Sequence, residues 1–304
     1  MIVASIVDAA LFNSAIRAVA PVLLAALGGL ICQRAGVFNV GLEGMMLVGA
    51  FAAVTGSYFT GSAIGGIAFA VVAGVGVSMI LAVGSVTLGA DPIVLGVAIN
   101  LLALGLTSFL LQQVYNIRGT FQDPAIVGLS PVKLGLIGDM PLIGDVLTGH
   151  SILVYVSFGL AGLIWFILYR LPIGLRLRGV GESAKAASTL GVNVSAYHYG
   201  VVLGSGVLCG LAGAQLSLGN VTLFAENMSS GRGWIAVVAV LLAAGRPGGV
   251  VAACLLFGVA DAIGFRLQGD GLPSQITEAA PFVITLVALV VASRRRSIVE
   301  LRGA

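Results

Sequence analysis

Twelve acidic side chains, fifteen basic ones and two histidines serve 304 residues, so any chemistry done by this chain falls on a few nameable groups. Glu43 is the first to weigh. It enters an apolar run, where a carboxylate costs on the order of 3 kcal/mol unless it is paired or wet. Two roles fit it equally: a hydrogen-bond anchor for a neighbouring helix, or a polar group on a solute path. Asn39, four residues earlier, reads chiefly as a partner for broken backbone. Asn100 follows Asp91-Pro92 by about two and a half turns, inside an apolar run. Its amide donates and accepts, which suits a hydroxyl, the polar edge of a ring, or a cross-helix bond. Asn220, Glu226, Asn227 and Ser230 share a polar, glycine-flanked segment, either a pore mouth or a solvated loop. Asp261 lies deep in its run and wants a partner that sequence does not name.

The chemistries left out matter as much. There is no G-x-x-x-x-G-K-[ST] segment, so no P-loop cradles a nucleotide here. His150 and His198 have neither a metal nor a catalytic companion, and Ser/His/Asp groupings are missing, so an enzyme has little footing. Cys32, Cys209 and Cys254 are odd in number and each sits in an apolar stretch, which argues against disulfides and a metal site. A net charge of +3 implies no nucleic-acid partner. No catalytic residue, metal or bound cofactor is expected on this chain.

The elements that must carry these residues are set by hydropathy. The chain is 59 % hydrophobic and 9 % charged, against roughly 25 % charged in soluble domains, and its mean hydropathy is +1.11. One soluble core cannot have that composition; bilayer spans can. Apolar runs fall at about 14–31, 40–58, 63–88, 93–111, 151–169, 199–218, 234–245, 249–265 and 281–293. The expected fold is therefore all-α and transmembrane, a single domain over 1–304 of about eight to ten helices, some broken. Glycines 36, 41, 44 and 49 weaken a continuous helix around Glu43, and Arg246-Pro247-Gly248-Gly249 splits another pair into a tight hairpin or broken helices. The first basic residue is Arg17, so a cleavable signal is not expected.

Lys and Arg placement gives the orientation. If the 170–198 loop and the C-terminus are cytoplasmic, that side holds Arg34, Arg170, Arg176, Arg178, Lys185, Arg246, Arg294, Arg295, Arg296 and Arg302. The other keeps Arg17, Arg118, Lys133, Arg232 and Arg266. Segment 112–150, with Asp123, Asp139 and Asp145, is then the largest external loop. Within the inner loop, about 176–195, residues 176–191 read as a short amphipathic helix lying outside the membrane. Glu182 falls in its first turn, Gly191 ends it, and Asn193 or Ser195 caps the next span.

The spacing Ala186-Ala187-x3-Gly191 resembles the coupling loop of ABC importer permeases, with Lys185 where an acidic residue usually stands. The resemblance implies that Glu182, Lys185, Ala186, Ala187 and Gly191 meet an ATPase. Gly36-Val-Phe-Asn-Val-Gly-Leu-Glu-Gly44 is similar to the signature of the nucleoside (guanosine or purine nucleoside) branch of the ribose/branched-chain amino acid permease family. Asp91-Pro-Ile-Val-Leu-Gly-Val-Ala-Ile-Asn-Leu-Leu-Ala103 and Ala225-Glu-Asn-Met-Ser-Ser-Gly-Arg-Gly-Trp234 are similar to two further blocks. Membership would imply an importer subunit in a bacterial inner membrane, driven by ATP-Mg on a partner ATPase. A second, longer homologous permease and an external binding lipoprotein would complete it. The solute would be a nucleoside, alternatively a simple sugar, with Asn39, Glu43, Asn100, Asn220 and Glu226 on its path. A gradient-driven secondary transporter is the rival class.

Overall fold

Each apolar run among the described residues becomes a helix, and local capping chemistry explains several of the ends. The computed structural model describes residues 9–132, 146, 148–269 and 283. Helix α1 spans Ala9–Arg34, followed by a non-helical stretch over 35–41. Then come α2 (Leu42–Thr60), α3 (Ala63–Ala82) and α4 (Pro92–Tyr115). A π-helical turn, Val83–Thr87, extends α3. The α4 start is fixed by Asp91, whose side chain accepts from the Ile93 and Val94 amides, with Pro92 in the first turn. Both residues suit a helix N-terminus. Helix α5 covers Ile152–Arg170, α8 Val194–Ala214, α9 Arg232–Leu242 and α10 Pro247–Gly269. A second π-helical segment, Gln215–Val221, continues α8.

The inner loop holds two helices rather than the expected one. Helix α6 is Pro172–Glu182 and α7 is Ala184–Thr189. Glu182 therefore ends α6 and does not sit in the first turn of a helix. The reason is Ser183: its extended backbone breaks the helix, and its hydroxyl accepts from the Ala186 amide, capping α7 instead. At the other end of α7, Gly191 takes φ +77°, its N–H donates to Ser188, and the Val192 N–H reaches back to Ala187. That pair of bonds closes a Schellman turn. Asn193, not Ser195, then caps α8 by accepting from the Ala196 amide.

Among the described residues seven helices are long and apolar enough to cross a membrane, and α9 is a shorter apolar helix. The expected span at 281–293, apart from Val283, lies outside the described residues. So do Arg294, Arg295, Arg296, Arg302, Lys133, Asp139 and Asp145. Helices α1 and α8 occupy the centre. The apolar windows of both are 78 % buried, against 22 % for α4. Residues 22–27 of α1 show almost no exposed surface, as expected for a helix apolar on every side. It packs on α5, α8, α9 and α10, while α8 also packs on α2 and α3. A Cβ on Gly49 of α2 would come within 2.9 Å of the Gly210 Cα of α8; small residues let the backbones approach. Helix α4 shows Val94, Leu101, Leu102 and Phe109 to its surroundings, a face suited to lipid.

Short strands tie the end opposite α6 and α7. β1 (Thr120–Phe121) pairs antiparallel with β4 (Phe224–Ala225), and β2 (Pro131–Val132) with β3 (His150–Ser151). The first pair binds the loop after α4 to the segment that leads into α9.

Candidate functional site

The break at 35–41 lets the chain re-enter the bundle, and three polar side chains secure it there. Asn39 accepts from the Gly41 amide at 2.9 Å and donates to the Ser205 hydroxyl at 2.9 Å. Asn100 accepts from the Gly44 amide at 2.8 Å and donates to the Val40 carbonyl at 3.0 Å. Both amides thus replace partners that a continuous helix would have supplied. Asn100 is eight residues past Pro92 and Ser205 eleven past Val194, about 12 and 16 Å along their helices. The truss lies about half-way through a ~30 Å apolar core.

Glu43 completes it by capping α9. Its carboxylate accepts from the Gly231 amide at 2.9 Å and the Gly233 amide at 2.6 Å. Two otherwise orphaned donors at a helix N-terminus are satisfied, and the negative charge sits at the favourable end of the helix dipole. Gly233 has to be glycine, because a Cβ there would stand 2.5 Å from the Glu43 Cα. Helix α9 therefore starts near mid-depth as a half-helix. Broken backbone at that depth is tolerated where it faces protein or a wet cavity.

A cavity of about 530 Å³ opens beside that start, within the range of small-molecule sites. Its walls come from the first half of α1, the π segment of α8, the loop after it and the last turns of α10. Ser14, Arg17, Asn220, Arg232, Asp261 and Arg266 supply the polar groups, and Leu216, Met228 and Phe265 are among the apolar ones. The π segment, a form frequent at functional sites, sets Asn220. Buried Gln215 accepts from Ser151 at 2.5 Å and donates to the Asn220 amide oxygen at 3.0 Å. The connecting loop is strained, since Thr222, Asn227 and Ser230 all take positive φ, and such residues cluster at functional sites. Arg232 donates to the Met228 carbonyl at 3.3 Å, and its charge acts on the Asp261 carboxylate. Among the described residues Asp261 accepts no hydrogen bond and no three ligands gather for a metal.

The opposite end of α9 is held too. Arg34 donates through Nε to the Gly245 carbonyl, in the turn between α9 and α10, and through Nη2 to the Tyr169 hydroxyl at 3.0 Å. The Arg178 guanidinium of α6 lies 5.0 Å from the centre of the Tyr169 ring, a cation–π contact. One chain of contacts thus runs from α6 through α5 and α1 to the foot of α9. On α7, Ala187 is buried while Lys185 and Ala186 are exposed, as are Glu182 and Gly191 beside it.

A family model described as the permease component of branched-chain amino acid transport systems matches residues 11–292. The chain belongs to that family. It is 37 % identical over 283 residues to the guanosine ABC transporter permease protein NupQ of Bacillus subtilis, covering 89 % of this chain and 88 % of that one. Identity is 35 % to the nucleoside ABC transporter permease protein NupC of Lactococcus lactis, over 88 % of this chain and 87 % of NupC. TsgC13 of Haloferax volcanii, described as a glucose ABC transporter permease, is 36 % identical over 93 % of this chain and 84 % of its own. Among solved structures, an inward-facing ABC transporter described as metal-chelate type matches with a TM-score of 0.55 at 17 % identity, over 93 % of this chain and 85 % of that one. That likeness shows the fold. The protein is a multi-pass permease component of an ABC transporter, not an enzyme.

Of the residues singled out from sequence, Asn39, Glu43 and Asn100 meet in the mid-depth truss, and none of the three lines the cavity of the permease. Asn220 does. Glu226 lies just outside it, pairing with Gly119 through its backbone and its carboxylate at 3.0 Å. Sequence reasoning missed Ser14, Arg17, Arg232 and Arg266 as a group and left Asp261 without a setting. The one available signal was ionic residues at helix depth, at positions 17, 232, 261 and 266, which by default face a partner or a path.

Proposed function

We propose that this permease imports nucleosides across the cytoplasmic membrane of a bacterium, powered by ATP hydrolysed elsewhere. The observation that carries the reading is the half-helix α9, begun at mid-depth beside a cavity and clamped at its foot to the α6–α7 loop. A moving loop would tilt α9 and change access to the cavity. The end bearing α6 and α7 is the cytoplasmic one: among the described residues it holds Arg34, Arg170, Arg176, Arg178, Lys185 and Arg246. That bias follows the positive-inside rule. The cavity then opens outward.

Partner ATPase subunits dock on exposed Ala186 and the turn at Gly191, with Lys185 and Glu182 on the rim; Ala187, buried behind them, seats α7 for that contact. ATP-Mg belongs to those subunits, and this chain binds no cofactor. A second, homologous permease forms the other half of the pathway as a heterodimer, and an external lipoprotein delivers the solute. Free energy enters because ATP stabilises one arrangement of the loop over another. The solute needs only weak binding here, so that it can leave. Nucleoside as substrate is supported by the 36–44 signature, by likeness to NupQ and NupC, and by a cavity that mixes apolar walls with amide and carboxylate groups. Likeness to TsgC13 favours a simple sugar as the second reading.

The test is uptake into proteoliposomes holding the whole complex, with binding protein outside and ATP inside. Labelled guanosine should accumulate against its gradient and stop when the ATPase is inactivated by mutation. Accumulation that survives that mutation and collapses with an uncoupler would put the chain among secondary transporters. Glucose uptake without guanosine uptake would establish the sugar reading.

A further inference from the structure

Asp261 is a carboxylate in the cavity that no donor among the described residues fills. Helix α10 begins at Pro247, so Asp261 lies fourteen residues along it, about 21 Å, within an apolar span. It is half-buried and lines the cavity, yet among the described residues its carboxylate accepts no hydrogen bond. Glu43 shows how this fold treats a carboxylate that serves structure: both oxygens are filled by backbone amides. Asp261 is left with acceptor capacity turned to open space, next to the charge of Arg232.

We propose that Asp261 is a specificity residue whose two oxygens accept the vicinal hydroxyls of a ribosyl group in transit. An ionised carboxylate offers acceptors only, about four lone-pair sites on two oxygens, which matches two adjacent O–H donors. A ribose hydroxyl held by Asp or Glu is a common solution in nucleotide-binding folds. Arg232 lines the same cavity and is itself held by Met228. Asn220, fixed through its oxygen by Gln215, keeps its amide N–H groups for the solute. Leu216, Met228 and Phe265 form an apolar wall against which a flat base can rest. A ligand lacking the diol would leave Asp261 desolvated and unmatched, a loss that a hydrogen-bonding site penalises more than an apolar one.

This inference rests on the nucleoside reading, so its test separates the two. Uptake of a ribonucleoside and of its 2′,3′-dideoxy analogue is measured with the complete complex, wild-type and Asp261→Asn. The binding protein is the same in both, so its own selectivity cancels in the ratio. The expected result is a KM for the ribonucleoside raised on the order of tenfold, with the analogue unchanged within about twofold. An equal loss for both substrates, or none for either, overturns the assignment. A second readout does not need transport: Asp261→Cys is labelled from outside by a charged thiol reagent. The ribonucleoside should slow labelling and the dideoxy analogue should not; equal protection overturns the proposal. Stronger competition by a nucleoside 5′-monophosphate than by the nucleoside would place an anion among the arginines instead and overturn it too. If the wild-type complex takes up a sugar and no nucleoside, the nucleoside reading falls. Asp261 is then decided by the same pair of measurements on that sugar and its deoxy form.

Discussion

Two carboxylates at membrane depth look alike in a list of residues and differ entirely in their neighbours. Glu43 is spent on the α9 amides, so Glu43→Gln swaps one acceptor for an amide N–H₂ that faces backbone donors. Leaving a buried donor without its partner costs about 2 kcal/mol. The variant should give less assembled complex and a lower melting temperature in detergent. Unchanged melting with impaired uptake would instead put Glu43 on the solute path. Gly233→Ala should be worse, since its Cβ meets the Glu43 backbone. His150 is also structural. It is buried, its Nε2 lies 2.9 Å from the Val146 carbonyl, and among the described residues its Nδ1 has no hydrogen-bond partner. Burial pushes its pKa below the usual value of 6.5, and the charge of Arg17 pushes the same way, against the Val146 bond. Between that lowered value and 6.5 the unfolded chain binds more protons than the folded one, so stability rises with pH through this window. Thermal melting from pH 7 down to pH 5 should fall, and His150→Gln should flatten the fall. A wild-type profile that is already flat would remove the effect.

The elements matter through what joins them. Arg34 belongs to α1, Tyr169 to α5, Gly245 to the turn below α9, and Arg178 to α6. Removing the guanidinium should free α9 from the loop without unfolding either. Arg34→Ala is expected to keep basal ATPase within about twofold while uptake drops on the order of tenfold, a coupling loss of ordinary size. A parallel fall in both would mean lost assembly. Bulky replacements at Ala187, which is buried, and Gly191→Pro, which has no N–H for the Ser188 carbonyl, should also separate ATPase from uptake. Helix boundaries in this region were legible from single residues: Pro92, Asn193 and Gly191 act through local backbone chemistry. The division of 176–191 into α6 and α7 was not. Ser183 competes as a cap against continuation of the helix, and only the chain's path shows that it wins.

At the scale of the molecule, direction of transport depends on which end faces which compartment. Lys185→Cys should react with an impermeant thiol reagent only in inside-out vesicles, and Asn220→Cys only in intact cells. Labelling of both from one side would refute the topology. Already legible in the residues were a chain that lives in lipid, the positions of its described spans, the Gly and Pro breaks between them, and the family it resembles. Those properties depend on hydropathy, on local backbone preference, and on short ordered motifs. What the polar residues do follows from helix packing. Glu43 finds partners 188 and 190 positions away, Asn39 one at 166, and Arg34 one at 211. The cavity is assembled from α1, α8 and α10 together. A carboxylate's role depends on whether donors already fill its oxygens, and donors that distant come together only when the helices pack.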